Sequence, residues 1–143
     1  MQTALNKNFG EKMRYVNEMK AVVDIADFED NNNTTGYVDL YDLPAGAVVL
    51  GWKADVTEAF SGTGVVTATM QIGIDGDLDR FSADTTGSVA AIGTIGSAAV
   101  AADACKGIDD VVTPRVTVTE DSDFGQLVTA GNGRVEITIF YIA

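Results

Sequence analysis

Asp75-Gly76-Asp77-Leu78-Asp79 spaces three carboxylates at alternate positions, the opening of a calcium loop in which hard oxygen ligands converge on one ion. The rest of that pattern is missing. Arg80 stands where the loop requires glycine, and Thr86 occupies the twelfth position, where a glutamate would complete the shell. Asp75, Asp77 and Asp79 are therefore a weak metal candidate, and the simpler reading is a strand end carrying solvated carboxylates. Glu120-Asp121-Ser122-Asp123 forms a second acidic cluster, read as a solvated hairpin tip. Paired carboxylates about 5–10 Å apart across a cleft hydrolyse glycosidic bonds, but nothing in the sequence pairs these groups.

Other chemistry is excluded by residue type. The 143 residues include no His, which removes the usual general base at neutral pH, every Ser-His or Cys-His nucleophile pair and the commonest zinc ligand. Cys105 is the only cysteine, so no internal disulfide forms, and its Ala-rich surroundings suit a small packed hydrophobe. No glycine-rich phosphate loop, nucleophile elbow or Cys-x-x-Cys pair is present, and no cofactor is expected. Trp52, Phe60, Phe81 and Tyr141 resemble a sugar-stacking platform only in composition; aromatic residues on strands are more often core or interface.

Nine Lys and Arg against 21 Asp and Glu give a formal net charge of -12, which disfavours nucleic acid and anionic membranes as partners. That charge is polarised. Residues 1–20 carry Lys7, Lys12, Arg14 and Lys20 against Glu11 and Glu18, so they hold +2 and residues 21–143 hold -14. Apolar residues in 1–20 follow no clean period. A frayed terminus with a short helix near 10–19 is the plainer reading. The sharper one is an extended arm ordered by a partner, with Leu5, Phe9, Met13 and Tyr15 as its anchors. The first nine residues lack the apolar run of an export signal. The most apolar stretch, 88–104, is broken by Gly93 and Gly96 and carries Asp103, so no membrane span is expected.

Two-residue alternation begins at residue 21 and predicts the elements that must position these groups. Strands are expected over 21–28 and 34–40, separated by an Asn-rich turn at 29–33. Leu43-Pro44-Ala45-Gly46 turns the chain into a long strand, 47–60, with Val48, Leu50, Trp52, Ala54 and Val56 on one face and a bulge at Gly51. A loop at 61–64 suggests a hairpin to a strand over 65–74, where Val66, Ala68, Met70, Ile72 and Ile74 share a side. Residues 82–107 read as an irregular excursion with one or two short strands. Strands return at 111–119, weakly at 126–129, and at 134–142 after the Gly131-Asn132-Gly133 turn. Seven or eight antiparallel strands make an all-β protein, a β-sandwich or jelly-roll-like body over 21–143 with an extended N-terminal arm, 1–20.

The strand entry Asp42-Leu43-Pro44-Ala45-Gly46-Ala47-Val48-Val49-Leu50-Gly51 and the run Thr69-Met70-Gln71-Ile72-Gly73-Ile74-Asp75-Gly76-Asp77-Leu78-Asp79-Arg80-Phe81 resemble segments of tailed-phage virion structural proteins. The likeness covers 20–83 and the closing strand 134–142, and is greatest to capsid decoration, or cement, proteins. It implies a non-enzymatic homotrimer that binds the outer surface of the capsid after synthesis in the host cytoplasm, and stabilises it by bridging subunits of the major capsid protein. It supplies no catalytic residues. Two alternatives remain open: a tail, baseplate or fibre component, and a carbohydrate-binding module with calcium at Asp75, Asp77 and Asp79.

Overall fold

The computed structural model describes residues 16–31, 33–82, 88–98 and 110–142. Strand β1 (Val16–Asp24) runs antiparallel to the last strand, β8 (Asn132–Ile142), in unbroken register from Val16 opposite Ile142 to Asp24 opposite Arg134. β4 (Val48–Ser61) flanks the other side of β8, and β6 (Gly93–Ala98) completes a sheet ordered β1-β8-β4-β6. β2 (Glu29–Asp30), β3 (Thr35–Asp39), β7 (Arg115–Glu120) and β5 (Ala68–Gly73) form the second sheet, ordered β2-β3-β7-β5. All these pairings are antiparallel. The fold is the antiparallel sandwich that the alternation implies.

Side chains at every second position fill the space between the sheets. Met19, Val23, Trp52, Ala54, Val56, Val135, Ile137 and Ile139 come from one sheet, and Ala68, Met70, Ile72, Val116 and Val118 from the other. One end is plugged by aromatics. Phe28 meets Phe60 edge-on with centroids 5.8 Å apart and Phe124 at the same distance, geometries that favour ring pairs beyond simple burial. Phe124 opens helix α1 (Phe124–Ala130), which is capped by the Asp123 carboxylate and ended by Gly131 in the left-handed region.

Several sequence expectations change. Strand β1 opens at Val16, so residues 16–20, expected in the arm, belong to the body; the alternation is masked because its outward positions also carry valines, Val16 and Val22. It ends at Asp24, whose carboxylate caps a single 3-10 turn at Ile25–Asp27. The strands expected to form a hairpin, β4 and β5, lie in opposite sheets: β4 pairs with β8 and β6, and β5 with β7. Alternation fixes which face of a strand is buried and leaves its neighbour undetermined. Residues 126–129 are helical, because a segment that short has no readable period and Asp123 supplies the cap.

The bulge expected at Gly51 is present as a register shift between Val49 and Gly51. It places Val49 in the core and turns Leu50 outward, 39% exposed, so Leu50 and Val48 leave the face they were expected to share with Trp52, Ala54 and Val56. β5 starts at Ala68 rather than at 65, and Val66 is exposed.

Candidate functional site

The acidic stretch after β5 is a tight turn. Ile74 and Asp77 exchange backbone hydrogen bonds of 2.9 and 3.1 Å around Gly76, whose φ of 87° is the left-handed conformation that glycine adopts without strain. The chain then folds over Gly73, where a Cβ would stand 2.2 Å from the Asp77 carbonyl oxygen. Its carboxylates diverge. Asp75 Oδ1 lies 3.2 Å from Arg115 Nη1, while Asp77 Oδ2 lies 3.6 Å from Arg80 Nη1. Among the described residues no group of three potential ligands converges on a point. In this arrangement Asp75 and Asp77 are each engaged by a different arginine.

Arg115 ties this turn to the sheet. Its Nε and Nη2 donate to the two oxygens of Asp39 at 2.8 and 3.2 Å, its Nη1 reaches Asp75, and its guanidinium lies 4.0 Å from the centroid of the Tyr37 ring. The side chain is only 15% exposed. The hydrogen bonds to Asp39 raise the guanidinium above its ordinary pKa, so it is a permanent cation at this corner. Tyr37 in turn donates its hydroxyl to Glu29, and that hydrogen bond raises the phenol.

The second acidic cluster is exposed at Asp121, Ser122 and Asp123, as a solvated tip would be, but Glu120 is buried and both aspartates also hold backbone N–H groups. Glu120 is 4% exposed, and burial raises its carboxyl despite a 2.6 Å hydrogen bond from the Ser122 N–H to Oε2; Oε1 has no partner among the described residues. Asp121 Oδ1 accepts from the backbone N–H groups of Val66 at 2.9 Å and Thr67 at 3.1 Å, and those bonds hold its carboxyl below the ordinary range. The same two bonds divert Val66 and Thr67 from strand pairing and delay the start of β5. Asp123 accepts from Gly125 N at 2.9 Å as the cap of α1.

Trp52, Phe60 and Phe81 are buried and Tyr141 is packed against the core, so these aromatics make no platform. Leu5, Phe9, Met13, Tyr15, Cys105 and Thr86 lie outside the described residues.

One concavity is a feature the sequence reading missed. A groove of about 630 Å³ runs over the outer face of the β1-β8-β4-β6 sheet, lined by Val16, Leu50 and Phe140 and by Gly51 and Gly96, with Lys53, Thr94 and Ile95 along it. Its chemistry is apolar. Leu50 enters through the bulge, and β6 brings Gly96 so close to β4 that a Cβ would lie 2.5 Å from the Trp52 carbonyl oxygen. Val16 and Phe140, apolar residues at outward positions of their strands, were the available signal; Leu50 joins them only through the bulge.

No protein-family model matches the chain, and no curated protein resembles it in sequence. Its fold does match solved structures. A chain of the cyanophage Pam1 capsid asymmetric unit superposes with a TM-score of 0.54 at 16% identity, covering 90% of this chain and 85% of that one. A chain of the acidic stable capsid structure of Helicobacter pylori bacteriophage KHP30 gives a TM-score of 0.54 at 14% identity, covering 90% and 87%. At such identities the likeness is one of fold.

Proposed function

We propose that this chain is a non-enzymatic structural protein of a phage virion, which binds the outer surface of the capsid as a homotrimer and stabilises it by bridging major capsid subunits. The observation that carries the reading is a match of fold along nearly the whole length of both partners to chains found in two phage capsids. Fold alone does not fix function. Here, though, the sandwich makes up almost all the described protein, and its buried or ion-paired acids serve the fold. Charge favours the outside, because residues 21–143 hold -14 and would face packaged DNA from within.

The mechanism is mechanical. Each contact buries apolar area worth roughly 25 cal/mol per Å² before ordering costs, and repetition over a lattice sums weak contacts into a strong clamp. The N-terminal segment supplies a second hold, with Leu5, Phe9, Met13 and Tyr15 as anchors. Since the described strand β1 is Val16–Asp24, deletion of residues 2–15 removes none of the described strands. The truncated protein should fold as before and lose binding to particles; undiminished binding would reject the arm.

Location and copy number test the whole reading. Quantitative mass spectrometry of purified virions should find the chain in proportion to the major capsid protein, and a reconstruction should place it outside the head. A handful of copies at the tail would make it a tail, baseplate or fibre component instead.

A further inference from the structure

We infer that the outer edge of β1 is an interface between two copies of this chain, in which residues 16–22 pair antiparallel with the same segment of a second copy about a twofold axis at Met19. The contact goes beyond the proposed function and does not rest on it. A surface that meets itself is twofold, so this contact is separate from any trimer axis.

β1 ends the order β1-β8-β4-β6, and among the described residues no strand flanks its other side. Such an edge offers backbone groups to any extended chain, and proteins usually blunt it with a proline, a bulge or an inward-pointing charge. β1 has none of these. Its register against β8 is unbroken over nine residues, and its inward side chains include Met19 and Val23, both buried. Its outward side chains include two valines, Val16 and Val22, 59% and 63% exposed. Beside this edge a cleft is lined by Ala21, Val38 and Leu40, and Tyr41 on its wall is 67% exposed.

The residues along the edge select a second copy as the occupant. On the outward face they run Val16, Glu18, Lys20, Val22, so turning the strand end for end exchanges the two charges and keeps the two valines. With Met19 opposite Met19 of the second copy, each Glu18 stands across from a Lys20 and each Val16 across from a Val22, pairs that stabilise an antiparallel ladder. A shift of two residues either way sets Lys20 against Lys20 or Glu18 against Glu18, like charges directly opposite. A register centred on Val22 pairs Lys20 with Asp24, but it spans only residues 20–24, and Asp24 already holds Arg134 at 3.1 Å and caps the following turn. Glu18 and Lys20 can exchange partners at little cost. Within one strand they form a solvent-exposed ion pair at 3.3 Å.

The test uses the full chain, free of any shell, in a Cys105→Ser background. Chains carrying Val16→Cys are mixed with chains of different mass carrying Val22→Cys and treated with a short bis-maleimide. Linkage between the two species is expected, and little within either alone, since each substituted position lies about 20 Å along the strand from its own counterpart. No linkage, or linkage as strong within one species as between the two, overturns the inference. A second readout keeps Cys105. Self-association followed by sedimentation at low salt should fall about fivefold or more for Glu18→Lys and for Lys20→Glu, and should return when those two variants are mixed, because opposite charges again meet across the axis. Variants that associate as the wild type does, or a mixture no stronger than its components, overturn it too. Neither measurement involves a capsid, so the decoration reading is judged separately by copy number and location in the virion.

Discussion

Phe124 lies so close over Gly36 that a Cβ on residue 36 would stand 2.2 Å from its ring, so strand β3 must carry glycine there for helix α1 to seat its first side chain. Gly36→Ala should lower stability by about 1–3 kcal/mol through overpacking. Urea unfolding measures it, and Phe124→Leu added to Gly36→Ala should recover part of the loss. An additive double mutant would mean that the ring and the glycine are not coupled.

The neighbouring carboxyls Glu120 and Asp121 should act on stability with opposite signs. Burial raises Glu120 above its ordinary value of 4.5, so its penalty is absent below that pH and grows as the pH rises through the folded value. Glu120→Gln should therefore raise the urea midpoint at pH 7 and leave it unchanged near pH 4. Asp121 is held below its ordinary value of 3.8 by the Thr67 and Val66 N–H groups, so its contribution is complete above that pH and is lost as the pH falls through the folded value. Asp121→Ala should lower the midpoint at pH 7, with the deficit shrinking on acidification.

Replacement of Arg115 by Lys keeps the charge and loses the fork onto Asp39, the reach to Asp75 and the stacking on Tyr37. A loss of about 1–2 kcal/mol is expected, in line with hydrogen bonds to charged groups. Asp39→Ala should cost a similar amount, and the pair should be far from additive in a double-mutant cycle.

Calcium should neither bind to nor stabilise the 75–79 turn. Titration calorimetry should register no heat of binding, and a chelator should leave the melting temperature in place. The triple substitution Asp75→Asn, Asp77→Asn and Asp79→Asn should leave assembly intact and lower colloidal stability at low salt, with a small loss of fold stability from Arg115, which keeps Asp39 but loses Asp75. A calcium-dependent rescue of the wild type from chelator would restore the metal reading.

The two-residue period made the sandwich legible, because Val135, Ile137 and Ile139 alternate cleanly with Arg134, Glu136 and Thr138, and Met70 and Ile72 with Thr69 and Gln71. Partners were not legible. β4 and β5 adjoin in sequence, yet Asp121, more than fifty residues later, takes the N–H groups that would have continued a hairpin. Arg115 likewise sits 76 positions from Asp39 and 40 from Asp75, separations over which a local pattern carries no information. The groove was hidden for another reason. Leu50 fits a core face perfectly well until a bulge, readable only as a glycine, turns it outward.

The unbroken β1–β8 register has a mechanical meaning. Hydrogen bonds of an antiparallel ladder lie across the strands, so tension applied to the chain along β1 acts on them in shear and is shared by all nine residue pairs from Val16 to Asp24. The same tension applied across the sheet would unzip them one at a time, starting at Val16. A tether drawn parallel to the body's surface thus holds against forces that would peel a perpendicular one, and in the proposed shell the pull of neighbouring subunits would lie within that surface.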